Sequence, residues 1–203
     1  PSKEAPPPEA PPPEDRRLIL SAIEANAHFS DWLQLSREQV EAMAGLMRLA
    51  TVEAGQDVVK AGERGSKFYI VRDGLLDVVF DSAPAGDAGV QVQLRRGDSF
   101  GELALLYNCP RKATVVAQRL CRLWVLERRD FRAVMQLKPD RRIREYERLL
   151  AAVPSLATRL SHAELGLLAG SLVEEFFVKG EEAAPQASGT FLVVFQGCCE
   201  IRV

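Results

Sequence analysis

Short apolar runs separated by glycine-rich turns occupy residues 52–126, and this pattern constrains the fold more than any other feature. The turns contain Gly55, Gly62, Gly65, Gly74, Gly86, Gly89 and Gly97, and the runs between them cover residues 68–71, 75–80, 90–94, 115–117 and 123–126. Short strands with regular turns are typical of an antiparallel roll or barrel. The Asp73-Gly74 pair further predicts a hairpin between its flanking strands.

Helical patterns flank the strand region on both sides. Apolar residues recur at helical spacing over 18–27 after the acidic pair Glu14 and Asp15, and Ser36 with Gln39 predicts a capping box at the start of a second helix. Helical periodicity returns over 131–135 and 143–150, before Pro154. The predicted fold class is therefore α+β and mainly β, an antiparallel β-roll or jelly roll with flanking helices and an inserted helix-turn.

The inserted segment, residues 100–117, is suited to bind a small anion attached to a sugar. Gly101 allows close backbone approach, and the helix-favouring residues 102–106 would direct their first free amides at a ligand beside it. Arg111 supplies a permanently charged planar donor for a phosphate. A carboxylate such as Glu102 repels phosphate, so we expect it to accept a hydrogen bond from a sugar hydroxyl.

This segment, which spells Phe-Gly-Glu-Leu-Ala and then Arg-Lys-Ala-Thr, resembles the phosphate-binding cassette of cyclic-nucleotide-binding domains. It is most similar to the cassettes of cyclic-AMP- and cyclic-GMP-dependent protein kinases. The resemblance implies that Glu102 binds the ribose 2'-hydroxyl, that Arg111 binds the cyclic phosphate, and that backbone groups complete the cradle. Those groups belong to Gly101, Leu103, Ala104, Lys112 and Ala113. The resemblance implies no cofactor beyond the ligand itself, cAMP or cGMP.

The nature of the base is less constrained. In the family that this segment resembles, cGMP-selective sites carry Thr or Ser after the cassette arginine. This chain has Lys112 there, and lysine only donates hydrogen bonds, so it cannot accept one from guanine. Pro110 also favours cAMP, although the Leu-Tyr-Asn-Cys spelling of residues 106–109 favours cGMP, and cAMP is preferred. Tyr146 and His162 are candidate caps over the base; alternatively, Tyr146 belongs to an apolar helix stripe and His162 is exposed.

An internal repeat suggests the domain organisation. Residues 68–78 align without gaps on 191–201, and Ser36 and Gly55 align with Ser161 and Gly180. The predicted division is a disordered Pro-rich linker over 1–14, a complete nucleotide-binding domain over 15–136, a connecting helix over 137–160, and the start of a second copy over 161–203. Tandem copies resemble the regulatory region of cyclic-nucleotide-dependent kinases.

Other functional classes fit the sequence poorly. The two histidines lie outside the strands and the four cysteines lack metal-site spacing, so we expect neither an enzyme nor a metal site. Residues 111–148 hold 12 Lys and Arg against 5 Asp and Glu, which suits an acidic partner or a solvated helix face. The aromatic residues do not interleave with these charges as nucleic-acid binding requires.

We expect a cytoplasmic signalling module without a membrane span. Its expected partner is a protein kinase catalytic subunit or domain. The alternative is a docking module that binds no nucleotide.

Overall fold

The computed structural model describes residues 11–80, 92–107, 109–137, 140–177, 179–183 and 191–200. The chain divides into two compact units, Pro1–Leu137 and Lys138–Val203. The strands lie in the first unit: β1 (Arg48–Val52), β2 (Asp57–Val59), β3 (Lys67–Asp73), β4 (Leu76–Val79), β5 (Val92–Leu94), β6 (Ser99–Phe100), β7 (Thr114–Ala117) and β8 (Cys121–Glu127).

The strands form two antiparallel sheets that share one core. Within the described residues, the first sheet has the order β1-β8-β3-β6 and the second the order β2-β7-β4-β5. Both sheets contribute buried side chains to the core, which are Tyr69, Val71, Leu76, Val78, Phe100, Val115, Ala117, Cys121 and Leu123. The antiparallel roll predicted from the glycine-punctuated runs is confirmed.

The helices of the first unit precede, interrupt and follow the strands. They are α1 (Pro13–Glu24), a π-helical segment (His28–Leu33), α2 (Arg37–Leu46), α3 (Leu103–Leu106) and α4 (Arg128–Met135). The predicted capping box is present, because the Ser36 side chain accepts from the Gln39 amide while the Gln39 side chain accepts from the Ser36 amide. Ile19 and Ile23 of α1 and Met43 of α2 are fully buried, as their helical spacing predicted.

The predicted linker over residues 1–14 extends too far along the chain. Residues 1–10 lie outside the described residues, but Pro13 and Glu14 form the first turn of α1. Proline is compatible with this position because the first amides of a helix have no intrahelical acceptor, and its φ is already helical. The amide of Arg16 then donates to the Pro12 carbonyl at 2.8 Å and begins the ladder.

The hairpin predicted at Asp73-Gly74 is wrong. Strand β3 pairs with β8 and β6, whereas β4 pairs with β7 and β5, so the turn carries the chain from one sheet to the other. The register against β8 shifts between Val71 and Asp73, and Gly74 has a φ of 122°. The Asp-Gly pair does make a turn, but β3 and β4 bury side chains on opposite sides of the shared core.

The second unit contains α5 (Asp140–Ala151), α6 (Pro154–Ala157) and α7 (His162–Ser171). Tyr146 and Leu150 of α5 pack with Leu165 and Ala169 of α7 in a buried cluster. The single connecting helix predicted over 137–160 is therefore two helices: α5 ends at Ala151, and α6 begins at Pro154, a residue that cannot continue α5.

The repeat is visible in the backbone as well as in the sequence. Helices α2 and α7 have the same length, each begins with a serine capping box, and their N-caps, Ser36 and Ser161, are 125 residues apart. Gly55 and Gly180, also 125 apart, have φ values of 82° and 85°. The described residues 191–200 contain no strand, although they align with β3.

Candidate ligand-binding site

The predicted cassette begins where β6 ends, at a tight turn through Gly101. Gly101 has a φ of 84°, and a side chain there would place its Cβ 2.6 Å from Nη1 of Arg111 and 2.9 Å from the carbonyl oxygen of Lys67. The hydrogen bonds of the turn start with the amide of Ala104, which donates to Gly101. Within the described part of the chain, the amides of Glu102 and Leu103 have no protein acceptor and are available to an anion.

Arg111 lies directly against this turn. Its Nη2 donates to the carbonyl of Lys67 at 2.7 Å and its Nη1 donates to the carbonyl of Gly101 at 3.2 Å. Its backbone is held on both sides, because its amide donates to Glu63 and its carbonyl accepts from Gly62, each at 2.9 Å. The structure therefore places Arg111, the predicted phosphate-binding residue, beside the Gly101 turn, which lies ten residues earlier in the sequence.

The charge on Arg111 is partly desolvated. Burial lowers the pKa of its guanidinium, while Tyr69, Cys109 and Glu102 raise it. Arginine stays protonated under such conditions, so burial leaves a positive charge in a less polar surrounding. A charge of this kind attracts a phosphate more strongly than one in bulk water does.

Glu102 is the N-cap residue of α3, and its side chain is 15% exposed. Its Oε1 lies 3.3 Å from Nδ1 of His28, in the π-helical segment. No pattern in the sequence pointed to this contact, since the two residues are far apart in the chain and His28 lies outside the strands. The predicted sugar-binding carboxylate is thus partly buried and held beside a histidine.

Arg128, the first residue of α4, is a second arginine that sequence reasoning missed. Its Nε donates to the carbonyl of Ala104 at 2.6 Å, and its Nη2 donates to the carbonyls of Gly65 and Tyr107 at 2.7 and 3.1 Å. Burial lowers the pKa of this guanidinium, and the nearby Arg132 lowers it further. These bonds tie α3, the residue that follows it and Gly65 to the start of α4.

The remaining predicted residues lie on either side of Arg111 in the chain. Leu103 and Ala104 belong to α3, and Ala113 directly precedes β7. The side chain of Lys112, between Arg111 and Ala113, is exposed.

The candidate base caps both belong to the second unit. Tyr146 is buried there, with its hydroxyl donating to Glu174 and its ring meeting Phe195 edge-on at 5.6 Å. His162 is the exposed first residue of α7. These surroundings match the alternatives of an apolar helix stripe and an exposed first turn, and a capping role for either residue stays a prediction.

Two further classes of site are not found in the described residues. No group of three or more His, Cys, Asp and Glu side chains there is arranged to hold a metal ion. None of the helices that the structure describes is both long and apolar enough to cross a bilayer.

The fold agrees with a family model that part of the sequence matches. Residues 49–138, from β1 to just beyond α4, match the family model of the cyclic nucleotide-binding domain. Residues 49–138 therefore belong to the cyclic nucleotide-binding domain family and form the antiparallel roll described above.

The most informative relatives are regulatory subunits of protein kinases. The cAMP-dependent protein kinase regulatory subunit of Mycosarcoma maydis is 34% identical over 201 residues, which cover 93% of this chain and 38% of that protein. The chain spans less than half the length of the curated relatives it matches.

Two solved structures are similar at the level of the fold and of the sequence. The regulatory domain of Toxoplasma gondii PKA in complex with cAMP is 28% identical with a TM-score of 0.52, covering 79% of this chain and 59% of that one. The regulatory subunit of a cAMP-independent protein kinase A from Trypanosoma cruzi, bound to guanosine, is 27% identical with a TM-score of 0.52, covering 83% and 57%.

Proposed function

We propose that this chain is a cyclic-nucleotide sensor, with cAMP as the preferred ligand, that regulates a protein kinase. The observation that carries the proposal is that the Arg111 guanidinium contacts the Gly101 turn and that Glu102 directly follows Gly101. The phosphate would meet Arg111 and the amides of Glu102 and Leu103, while Glu102 would accept from the ribose hydroxyl. The relatives named as cAMP-dependent regulatory subunits support the same ligand.

The contacts around the cassette indicate how binding could alter a partner surface. Arg111 donates to the carbonyl of Gly101 before α3, and Arg128 donates to the carbonyl of Ala104 within α3. A phosphate that draws Arg111 and the turn together would therefore act on α4 through Arg128. For this to be a switch, the nucleotide must bind the two arrangements of α3 and α4 with different affinity.

The partner we propose is a protein kinase catalytic subunit or domain in the cytoplasm, and the chain itself is proposed to be regulatory rather than catalytic. The sequence resemblance leaves the regulatory region of a cGMP-dependent kinase as the alternative. The guanosine-bound relative makes a nucleoside ligand a further case to test, because it has similar identity and the same fold. A docking module that binds no nucleotide is the remaining alternative.

Calorimetric titration of the purified chain with cAMP, cGMP, 5'-AMP and guanosine separates these cases. We expect cAMP to bind one site per chain and more tightly than cGMP, with 5'-AMP and guanosine much weaker. If cGMP binds more tightly than cAMP, the result supports the regulatory region of a cGMP-dependent kinase. If guanosine binds more tightly than cAMP, the phosphate does not contribute to recognition. If none of the four compounds binds, the result supports a docking module that binds no nucleotide.

The variant Arg111→Lys tests the residue on which the proposal depends. Lysine keeps the charge but loses the planar fork, so we expect cAMP affinity to fall by at least about tenfold. Arg122→Lys makes the same chemical change at an exposed arginine that pairs with Asp73 outside the site. Equal cAMP affinity in the wild type and Arg111→Lys would contradict the assignment of Arg111.

A further inference from the structure

The contact between His28 and Glu102 joins the amino-terminal helical region to the cassette. Nδ1 of His28 lies 3.3 Å from Oε1 of Glu102, and the two side chains are 36% and 15% exposed. The histidine therefore reaches a carboxylate that is largely withdrawn from water. A glutamate has three side-chain torsions, and a neighbour that restricts them before a ligand arrives reduces the entropy lost on binding.

The segment that carries His28 is itself anchored to the roll, so the contact is not an isolated surface pair. The side-chain amide of Asn26 donates to the hydroxyl of Ser99 in β6 at 3.2 Å, and the side-chain oxygen of Asn26 accepts from the His28 amide at 3.1 Å. Ser99 lies three residues before Glu102. One short segment is thus bonded to the strand that enters the cassette and also contacts the first residue after its glycine turn.

Aromatic packing holds the same segment from the core side. Phe29, the residue after His28, is 1% exposed and meets the ring of Phe68 edge-on at 5.1 Å. It also lies 6.1 Å from the ring of Phe131 in α4. The backbone of His28 is therefore held by a buried neighbour, which leaves its side chain in a defined position beside Glu102.

We propose that His28 is a positioning residue for the ligand's ribose: it holds the Glu102 carboxylate in the orientation that accepts the 2'-hydroxyl. The proposal rests on the proposed function, because it requires that a ribonucleotide occupy the cassette. A carboxylate oxygen offers more than one acceptor direction, so Glu102 can contact His28 and a sugar hydroxyl together. His28 acts through Glu102 and does not need to touch the ligand.

The test compares cAMP with 2'-deoxy-cAMP, which lacks the hydroxyl that Glu102 would bind. We expect His28→Ala to weaken cAMP binding by about threefold to tenfold while changing the affinity for 2'-deoxy-cAMP by less than about twofold. A purely structural role of His28 would weaken both ligands equally. In a Glu102→Gln background, His28→Ala should have no further effect on the preference for the ribonucleotide.

Two variants serve as controls. His28→Asn places an amide donor close to the position of Nδ1, so it should recover most of the preference for cAMP over 2'-deoxy-cAMP. Ser30→Ala changes an exposed residue of the same segment whose hydroxyl donates to Asp31, and it should leave both affinities unchanged. Urea unfolding of each variant checks that the fold is retained.

The outcomes separate this proposal from the function on which it rests. If the wild type binds cAMP and His28→Ala keeps the same ratio of affinities for the two nucleotides, only the role of His28 is overturned. If the wild type binds neither nucleotide, the proposed function and the role of His28 are overturned together.

Discussion

At the scale of single residues, the site depends on two glycines that leave room for the side chain of Arg111. Arg111 passes between two glycines, Gly65 and Gly101, and donates to the carbonyls of Lys67 and Gly101. A Cβ on Gly65 would lie 2.2 Å from Nε of Arg111, a distance that real side chains do not tolerate. The guanidinium is therefore located as much by the absence of neighbouring side chains as by its hydrogen bonds.

Gly65→Ala should weaken cAMP binding while leaving the stability of the fold nearly unchanged. Gly65 has no left-handed φ, so alanine causes no backbone strain, and the atoms it would meet are the mobile end of Arg111. We expect the guanidinium to move and cAMP affinity to fall by about tenfold or more, while the free energy of unfolding changes by less than about 1 kcal/mol. Calorimetry and urea denaturation measure the two quantities. Unchanged affinity would show that Arg111 is not required in the observed position.

At the scale of elements, two ion pairs attach α1 in different ways. Asp15 of α1 is 2% exposed and lies 3.0 Å from Nε of Arg72 in β3, whose side chain is 19% exposed. Arg16, the next residue, pairs with Glu41 of α2, and both of these side chains are at least 32% exposed. Burial makes the first pair costly to break, because a buried carboxylate without its partner loses both water and counter-charge.

Arg72→Ala and Arg16→Ala are a matched pair of variants. We expect Arg72→Ala to destabilise the first unit by about 2 to 3 kcal/mol because it leaves Asp15 buried and unpaired. We expect Arg16→Ala to cost less than about 1 kcal/mol because its pair is exposed to solvent. Urea unfolding followed by circular dichroism compares them directly. Equal losses would mean that burial of Asp15 does not control how firmly α1 is held.

The crossover between the sheets depends on Gly74, which has a φ of 122°. A Cβ there would lie 2.3 Å from Sγ and 2.8 Å from Cα of Cys121, the first residue of β8. Gly74→Ala should destabilise the first unit by about 2 to 4 kcal/mol, since backbone strain and overpacking both oppose it.

Gly45→Ala is the control for that substitution. Gly45 lies in α2, and a Cβ there would meet no atom of the described residues within 4 Å. Alanine at this position should therefore stabilise the unit by about 0.5 to 1 kcal/mol. Thermal unfolding of the two variants should shift in opposite directions. A neutral Gly74→Ala would show that the crossover can relax without cost.

At the scale of the whole molecule, the three tyrosines share one electrostatic property. Burial raises the pKa of Tyr69, Tyr107 and Tyr146 above the ordinary value of 10.0. Arg111 opposes the rise at Tyr69, whereas the neighbouring Cys109 adds to it at Tyr107 and the hydrogen bond to Glu174 adds to it at Tyr146. All three phenols therefore hold their protons more firmly in the folded chain than in the unfolded one.

This difference predicts a loss of stability in alkali. Above a pH of about 10, the unfolded chain has released tyrosine protons that the folded chain keeps, so the free energy of unfolding falls as pH rises. The stabilisation is fully present below the unfolded pKa and is lost as pH passes through the folded values. Ultraviolet titration of tyrosinate in the native and the urea-unfolded chain measures the shift. A native titration at the ordinary pKa would contradict the burial of these rings.

Local patterns in the sequence were sufficient for most elements of the first unit, including the Gly101 turn and the short helix that follows it. Helical spacing predicted α1 and α2, the Ser36 box predicted an N-cap, and the glycine-separated runs predicted strands that form a roll. They failed at Asp73-Gly74, because a dipeptide specifies a turn but not which sheet receives the next strand. They also failed at Pro13, because proline in a Pro-rich tract looks the same whether it belongs to a linker or to a helix start.

The sequence by itself determined what lies close together along the chain: helix starts, turns, strands, the cassette with Glu102 and Arg111, and the repeat that relates Ser36 to Ser161. Only the tertiary structure decided the contacts between distant residues, such as His28 with Glu102, Arg128 with Gly65 and Ala104, and Arg72 with Asp15. The two differ because backbone conformation responds to neighbours within a few residues, whereas a partly buried charge takes whichever carbonyl or carboxylate the packed core brings within hydrogen-bonding reach.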